Sequence, residues 1–213
     1  MLTNWLIIMV KARKDSNTEE KILIAARQVF IEKGLAGARM QDIADRAEIN
    51  KAMLHYYFKN KDMLFEVIFR ETAGKLFPHF EKLMESDLNF FDKIRSIVSS
   101  YIEMIIQNPY LPLFVMNEMN KNPEIGIKTF FEAQKPGFVK KFRESIEENM
   151  KAGLIQPINP IHLIMNIFSM CAFPFIAKPM IKLLTGLEDE QFKNLMEQRK
   201  VLVAEFIINS IRK

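Results

Sequence analysis

One cysteine, Cys171, in 213 residues excludes an intramolecular disulfide framework. It lies in an apolar run, which fits a reducing compartment, so the expected location is the cytoplasm. Histidine is almost as scarce: His55, His79 and His162 are scattered, and none stands at a metal-ligand spacing or beside Cys171 as a base. No phosphate-cradling loop and no nucleophile elbow occurs. The carboxylates of Glu188, Asp189 and Glu190 fit the positive end of a helix dipole better than acid–base work. An enzyme is not expected, and neither catalytic residues, nor metal ligands, nor a cofactor are assigned. No hydrophobic run reaches the roughly 18 residues of a membrane span. Trp5 to Val10 is short, with no basic region before it and no small-residue cleavage site, so it is not read as a secretion signal. The run from Ile161 is interrupted by Asn166, Pro174 and Lys178. Neither strand-like alternation nor an internal repeat is found, and the fold class is therefore all-α.

What is present is apolar side chain in quantity and an unevenly placed positive charge. With 49% hydrophobic residues the chain is long enough to bury one or two real cores. Residues 1–61 hold 11 Lys+Arg against 7 Asp+Glu, whereas residues 62–213 hold 19 of each. The whole basic surplus therefore accompanies the N-terminal part, as expected where one part meets phosphates and the other does not.

Within that basic part, Met40 to Phe58 reads as two short helices joined by a tight turn. Ile43, Ala44 and Ala47 recur at helical spacing, Glu48-Ile49-Asn50 interrupts, and Leu54, Tyr57 and Phe58 resume the stripe. Asn50 supplies a cap for the second helix. Ala44 is small enough to let the second helix cross closely, with Ile49, Leu54 and Tyr57 filling the crossing. The face left outside carries Asn50, Lys51, Met53, His55 and Tyr56, which suits a DNA major groove.

The run from Gly34 through Ile43-Ala44, Ala47, Leu54 and Phe58 to Lys61 and Leu64 resembles the DNA-binding segment of TetR-type (tetracycline-repressor-like) bacterial regulators, over residues 18–64 or so. The resemblance implies base contacts from Lys51, Ala52 and Met53, and phosphate contacts from Arg39, His55, Tyr56 and Lys61. It also implies a homodimer on a double-stranded operator and release by a small-molecule effector. Four positions depart from the family pattern. Glu48 stands where glycine usually allows a left-handed backbone, at a cost of about 1 kcal/mol or with another turn geometry. Arg39 replaces a capping threonine, Ala52 a frequent glycine and His55 a frequent tyrosine.

The expected domains are a flexible segment 1–17, a three-helix helix-turn-helix domain 18–62, and a helical ligand-binding and dimerisation domain 63–213. Lys11, Arg13 and Lys14 form a basic arm. The first helix starts at Thr18, carries Ile22, Ala25, Ala26, Val29 and Phe30 on one face, and ends at Gly34. A helix from Met63 to about Leu76 is bent or broken by Pro78. Helices over 88–106, 111–120, 123–134, 136–153 and 161–177 follow, the last interrupted by Pro174 and Pro179, and a final helix runs from Leu187 to Ile211.

Two helices have more apolar surface than one core can use. On the last, Phe192, Leu195, Met196, Leu202, Val203 and Phe206 are assigned to one stripe and Val201, Ala204, Ile208 and Ile211 to another. The helix from Ile161 has the same excess, and both are expected to pair with their counterparts in a homodimer. Between the ends of this domain, aromatic and thioether side chains predict an adaptable apolar pocket. Its expected lining is Phe77, Tyr101 and Met104, then Phe114, Asn117 and Phe131, then Met165, Phe168 and Phe173, and an apolar effector of small to medium size follows. The expected function is a ligand-responsive DNA-binding regulator, a repressor released from a palindromic operator. The alternative is a helical protein-interaction module without specific DNA binding.

Overall fold

The computed structural model describes residues 2–121 and 137–213, apart from the side chains of residues 2–16, 73, 114, 117–119 and 121. The expected helix over 123–134, with Phe131, lies outside the described residues. Among them every regular element is an α-helix, with one isolated bridge between Ile155 and Arg212. The chain divides into two compact units, residues 1–71 and 72–213.

In the first unit, α1 spans Leu2–Gly37 and begins well before the expected start at Thr18. Its helical path breaks at Gly34, where φ is 66° and ψ 168°, values open to glycine without steric cost. Helix α2 spans Met40–Arg46, α3 spans Lys51–Tyr57, and α4 begins at Lys61. The apolar face of α1 is buried as patterned: Ile22, Ala25, Ala26, Val29 and Phe30 are each at most 3% exposed. Ile43, Ala44, Leu54, Leu64, Phe65 and Ile68 of the following helices are likewise inaccessible. Phe30 and Phe65 lie ring to ring at 5.7 Å.

In the second unit α4 continues to Glu85, carrying Pro78 inside it. Of the bend or break expected at Pro78, the break does not occur. An interior proline costs about 3 kcal/mol, but the turn after it buries Phe80 fully, 4.9 Å from the ring of Phe138, and nearly buries Met84. Each such side chain contributes about 1.5–3 kcal/mol, enough together to offset the proline. Helix α5 spans Phe90–Gln107, α6 Leu111–Lys121, α7 Gly137–Lys151, α8 Pro160–Ile176, α9 Lys178–Thr185 and α10 Asp189–Ile211. Pro174 likewise stays within α8, while Pro179 falls at the start of α9. Asn89 and Asn159 cap α5 and α8 by accepting from Asp92 N–H and Ile161 N–H.

The core of this unit runs along α5 and α10, from Ile94, Ile97, Val98, Ile102 and Ile105 to Met196, Val203, Ile207 and Ile208. Two ionic clamps tie the same pair: Arg95 to Glu205 at 2.6 Å, and Lys200 to Glu103. Arg199 of α10 donates to the Met170 carbonyl of α8 at 2.7 Å. The division of α10 into stripes needs correction. Phe192, Met196, Val203, Ala204, Ile207, Ile208 and Ile211 are buried together, whereas Leu195, Val201, Leu202 and Phe206 are exposed, the last three by 60–65%. The spacing of Leu195, Leu202 and Phe206 puts them on one outer face.

Candidate nucleic-acid interface

The turn between α2 and α3 sets the direction of the candidate reading helix. Ala44 and Leu54 are fully buried, and the Ile49 N–H donates to the Ala44 carbonyl at 3.0 Å. Glu48 has a φ of 55°, the left-handed region. The turn thus keeps the glycine-type geometry and carries its strain, about 1–2 kcal/mol for a residue with a Cβ. Asn50 then caps α3, its Oδ1 accepting the Met53 N–H at 2.7 Å.

With Leu54 as the inward anchor, Lys51, Ala52, Met53, His55 and Tyr56 are all exposed, Tyr56 by 84%. These are five of the eight residues singled out from the sequence, and one short helix carries them together with its cap, Asn50. The His55 Nδ1–H donates to the Lys59 carbonyl at 3.1 Å. The neutral ring then has only an acceptor at Nε2, so a second proton is needed before that nitrogen can donate to a phosphate. Tyr56 meets Tyr57 edge to face at 5.3 Å.

Arg39 precedes α2 with an exposed side chain, and its own N–H is held by Asp42 Oδ2 at 3.1 Å. Lys61 stands at the start of α4 with a half-buried side chain. Its ammonium donates to the carbonyls of Leu35, Ala36 and Ala38 at 2.8, 3.2 and 3.3 Å. The signal that sequence reading missed is positional: Lys61 opens a helix, where a cation is disfavoured by the dipole, unless carbonyls left over from another helix end receive it.

Ion pairs hold α1 to α2. Arg46 grips both carboxylate oxygens of Glu32, the second at 2.8 Å, and Lys33 meets Asp42 at 2.9 Å. The Arg46 guanidinium holds the Glu32 carboxyl below its usual range. Asp42 is lowered by Lys33, with the Arg39 N–H assisting.

The expected ligand-lining residues separate. Tyr101 meets Phe168 edge to face at 5.1 Å, and Phe168 approaches Phe138 at 6.2 Å. Burial raises the Tyr101 phenol above its ordinary value and pushes the Cys171 thiol up to about 12, so neither is charged near neutrality. Phe77 and Met104 are half-buried. Met165 and Phe173 are 58% and 55% exposed on α8, away from its buried line of Leu163, Ile167 and Cys171. The side chains of Phe114 and Asn117 lie outside the described residues. A cleft of about 230 Å³ opens elsewhere, lined by Ile106, Pro109, Phe175, Phe192 and Met196 together with Lys178, Asp189, Glu190 and Lys193. It contains none of the expected lining residues and is smaller than the roughly 300–1,000 Å³ of drug-sized pockets.

No single helix among the described residues is long and apolar enough to cross a membrane; α8 with α9 passes that test only as a pair bent by 70°. No group of three or more His, Cys, Asp or Glu side chains among the described residues could hold a metal ion.

Comparison with known proteins bears on both units. The family described as "Bacterial regulatory proteins, tetR family" matches residues 22–68, and "Tetracyclin repressor-like, C-terminal domain" matches residues 91–207. The chain is 26% identical to the HTH-type transcriptional regulator RutR of Escherichia coli strain K12, over 95% of this chain and 94% of that protein. It is 25% identical to the HTH-type regulator YhgD of Bacillus subtilis strain 168, over 65% and 72%. Among solved structures, a linker-substituted mutant of HlyIIR aligns with a TM-score of 0.65 and 26% identity, covering 93% of this chain and 97% of that one. FadR from Bacillus subtilis, solved with stearoyl-CoA, aligns at 0.61 and 18% over 91% and 99%, a likeness of fold alone.

Proposed function

The chain belongs to the tetR family of bacterial regulatory proteins and is a ligand-responsive DNA-binding transcriptional regulator; from this premise we propose a homodimeric, cytoplasmic repressor released from a palindromic operator by a small apolar effector. The observation that carries the reading is the α3 surface: Lys51, Ala52, Met53, His55 and Tyr56 exposed around a fully buried Leu54. Lys51 donates to guanine acceptors in the major groove, while Ala52 and Met53 meet thymine methyls. Arg39, His55 and Tyr56 take phosphates, which set register and affinity but carry little sequence information.

The outer faces of α8 and α10 support the dimer. Ile161 and Met165 on one, and Leu195, Leu202 and Phe206 on the other, are large apolar side chains left in water by a single chain. Covering them with a second copy presents two α3 helices, and successive major grooves on one DNA face repeat every 34–36 Å or so. The effector favours the conformation in which that separation is wrong, and a coupling of about 1–3 kcal/mol changes operator affinity 5- to 150-fold. The Tyr101, Phe168 and Phe138 rings, with Met104 and Phe77, support an apolar site.

The test is binding of the full-length protein to duplex DNA across a salt series, with Lys51→Glu beside it. A steep salt slope in the parent, and sequence preference lost in the variant, are expected. Binding that Lys51→Glu leaves unchanged would favour the protein-interaction module.

A further inference from the structure

We infer that Lys61 is a positioning residue for the DNA-reading helices and makes no phosphate contact of its own, an inference that rests on the DNA-binding reading above. The ammonium has three protons, and three carbonyl oxygens receive them: Leu35 at 2.8 Å, Ala36 at 3.2 Å and Ala38 at 3.3 Å. Leu35 and Ala36 lie in the last turn of α1, beyond the kink at Gly34, and Ala38 just past its end, where carbonyls have no intrahelical donors. Lys61 takes their place as donor and brings a positive charge to the negative end of the α1 dipole. To reach a phosphate it would have to release all three and leave them to water.

The consequence runs through the next residues. Ala38 is 3% exposed and its neighbour Arg39 precedes the first residue of α2. Fixing the Ala38 carbonyl fixes where α2 starts, and α2 carries Ala44, on which α3 is seated. Contacts nearby hold the first part of α4 to α1 as well, through Phe30 against Phe65 and Arg27 to Glu71 at 2.7 Å. Lys61 adds the polar tie at the end where the chain turns into the reader, so its loss alters the aim of α3 more than the charge that DNA meets.

Phosphate contacts and positioning residues fail differently. Removing a phosphate contact weakens binding to all sequences alike and makes the salt slope shallower. Removing a positioning residue weakens the reading of bases and leaves non-specific binding as it was. The probes are an inverted-repeat duplex enriched from a random pool and a scrambled duplex of equal length, with parent, Lys61→Met, Lys61→Arg and Arg39→Gln dimers. For Lys61→Met, affinity for the inverted repeat falls about tenfold, affinity for the scrambled duplex and its salt slope stay at parent values, and Lys61→Arg recovers most of the loss. For Arg39→Gln the slope becomes shallower by about two per dimer, one phosphate from each protomer. The inference is overturned if Lys61→Met behaves like Arg39→Gln, or changes neither binding nor preference.

A second measurement needs no variant. Brief amine labelling of the parent dimer with and without the inverted-repeat duplex is expected to modify Lys51 quickly and to lose that modification on DNA, while Lys61 reacts slowly in both. Fast labelling of Lys61 that DNA suppresses would overturn the inference. Absence of DNA protection at Lys51 itself would instead count against the DNA-binding reading.

Discussion

The two units spend their side chains in opposite ways. In residues 1–71 the interior is small, and the residues proposed to meet DNA are exposed and mostly gathered on α3. In residues 72–213 the side chains proposed to meet the effector are the same apolar ones that pack the core, Tyr101 against Phe168 among them. A reader of DNA declares itself by what it leaves outside a core; a receptor for apolar molecules is written in core residues. Polar ties differ too: the first unit uses Lys61 and the Glu32–Arg46 pair to set a direction, the second uses Arg95–Glu205 and Lys200–Glu103 to clamp two long helices.

The largest expected break strikes the exposed face of α10. Leu202→Asp with Phe206→Asp should give monomers by sedimentation, and operator affinity should fall by about 100- to 10,000-fold, the avidity of paired half-sites, while the core of each chain stays folded. Next comes Leu54→Ala, which removes the anchor beneath α3; a loss of about 2–5 kcal/mol in chemical unfolding is expected, localised to the first unit by hydrogen exchange. Lys51→Glu sharpens the contrast from outside, costing about 1–3 kcal/mol of base discrimination, with a stability change within about 0.5 kcal/mol because the side chain is exposed. Glu48→Gly relieves the left-handed turn and should raise stability by about 1 kcal/mol, read in urea melts. The smallest effect is acid sensitivity. Glu32 and Asp42 titrate below their ordinary values of 4.5 and 3.8 when folded, so their contribution is complete above those values and is lost as pH falls through the lowered ones. Arg46→Met should flatten that decline in melts taken between neutral and strongly acidic pH.

Legibility in the sequence followed the same division. Ala44, Leu54 and the Asn50 cap were readable because each is a local requirement of one tight turn, whereas at Glu48 two geometries were open and the left-handed one is found. Pro78 misled as a break because a local cost of about 3 kcal/mol is outweighed by burial of Phe80 against Phe138, which the chain brings from far away; Pro174 stays inside α8 and is itself buried. The stripes of α10 were mixed for a similar reason: apolar identity does not say which side faces α5 and which faces solvent. Lys61 escaped because its partners lie more than twenty residues earlier, and a basic residue beside a DNA-reading helix has an obvious alternative use.

The most direct measurement is selection of bound duplexes from a random DNA pool by the purified, folded protein. An enriched inverted repeat, whose half-sites are one helical turn or a small multiple of it apart, is the predicted result. No enrichment, or enrichment of a sequence without that symmetry, would contradict the account.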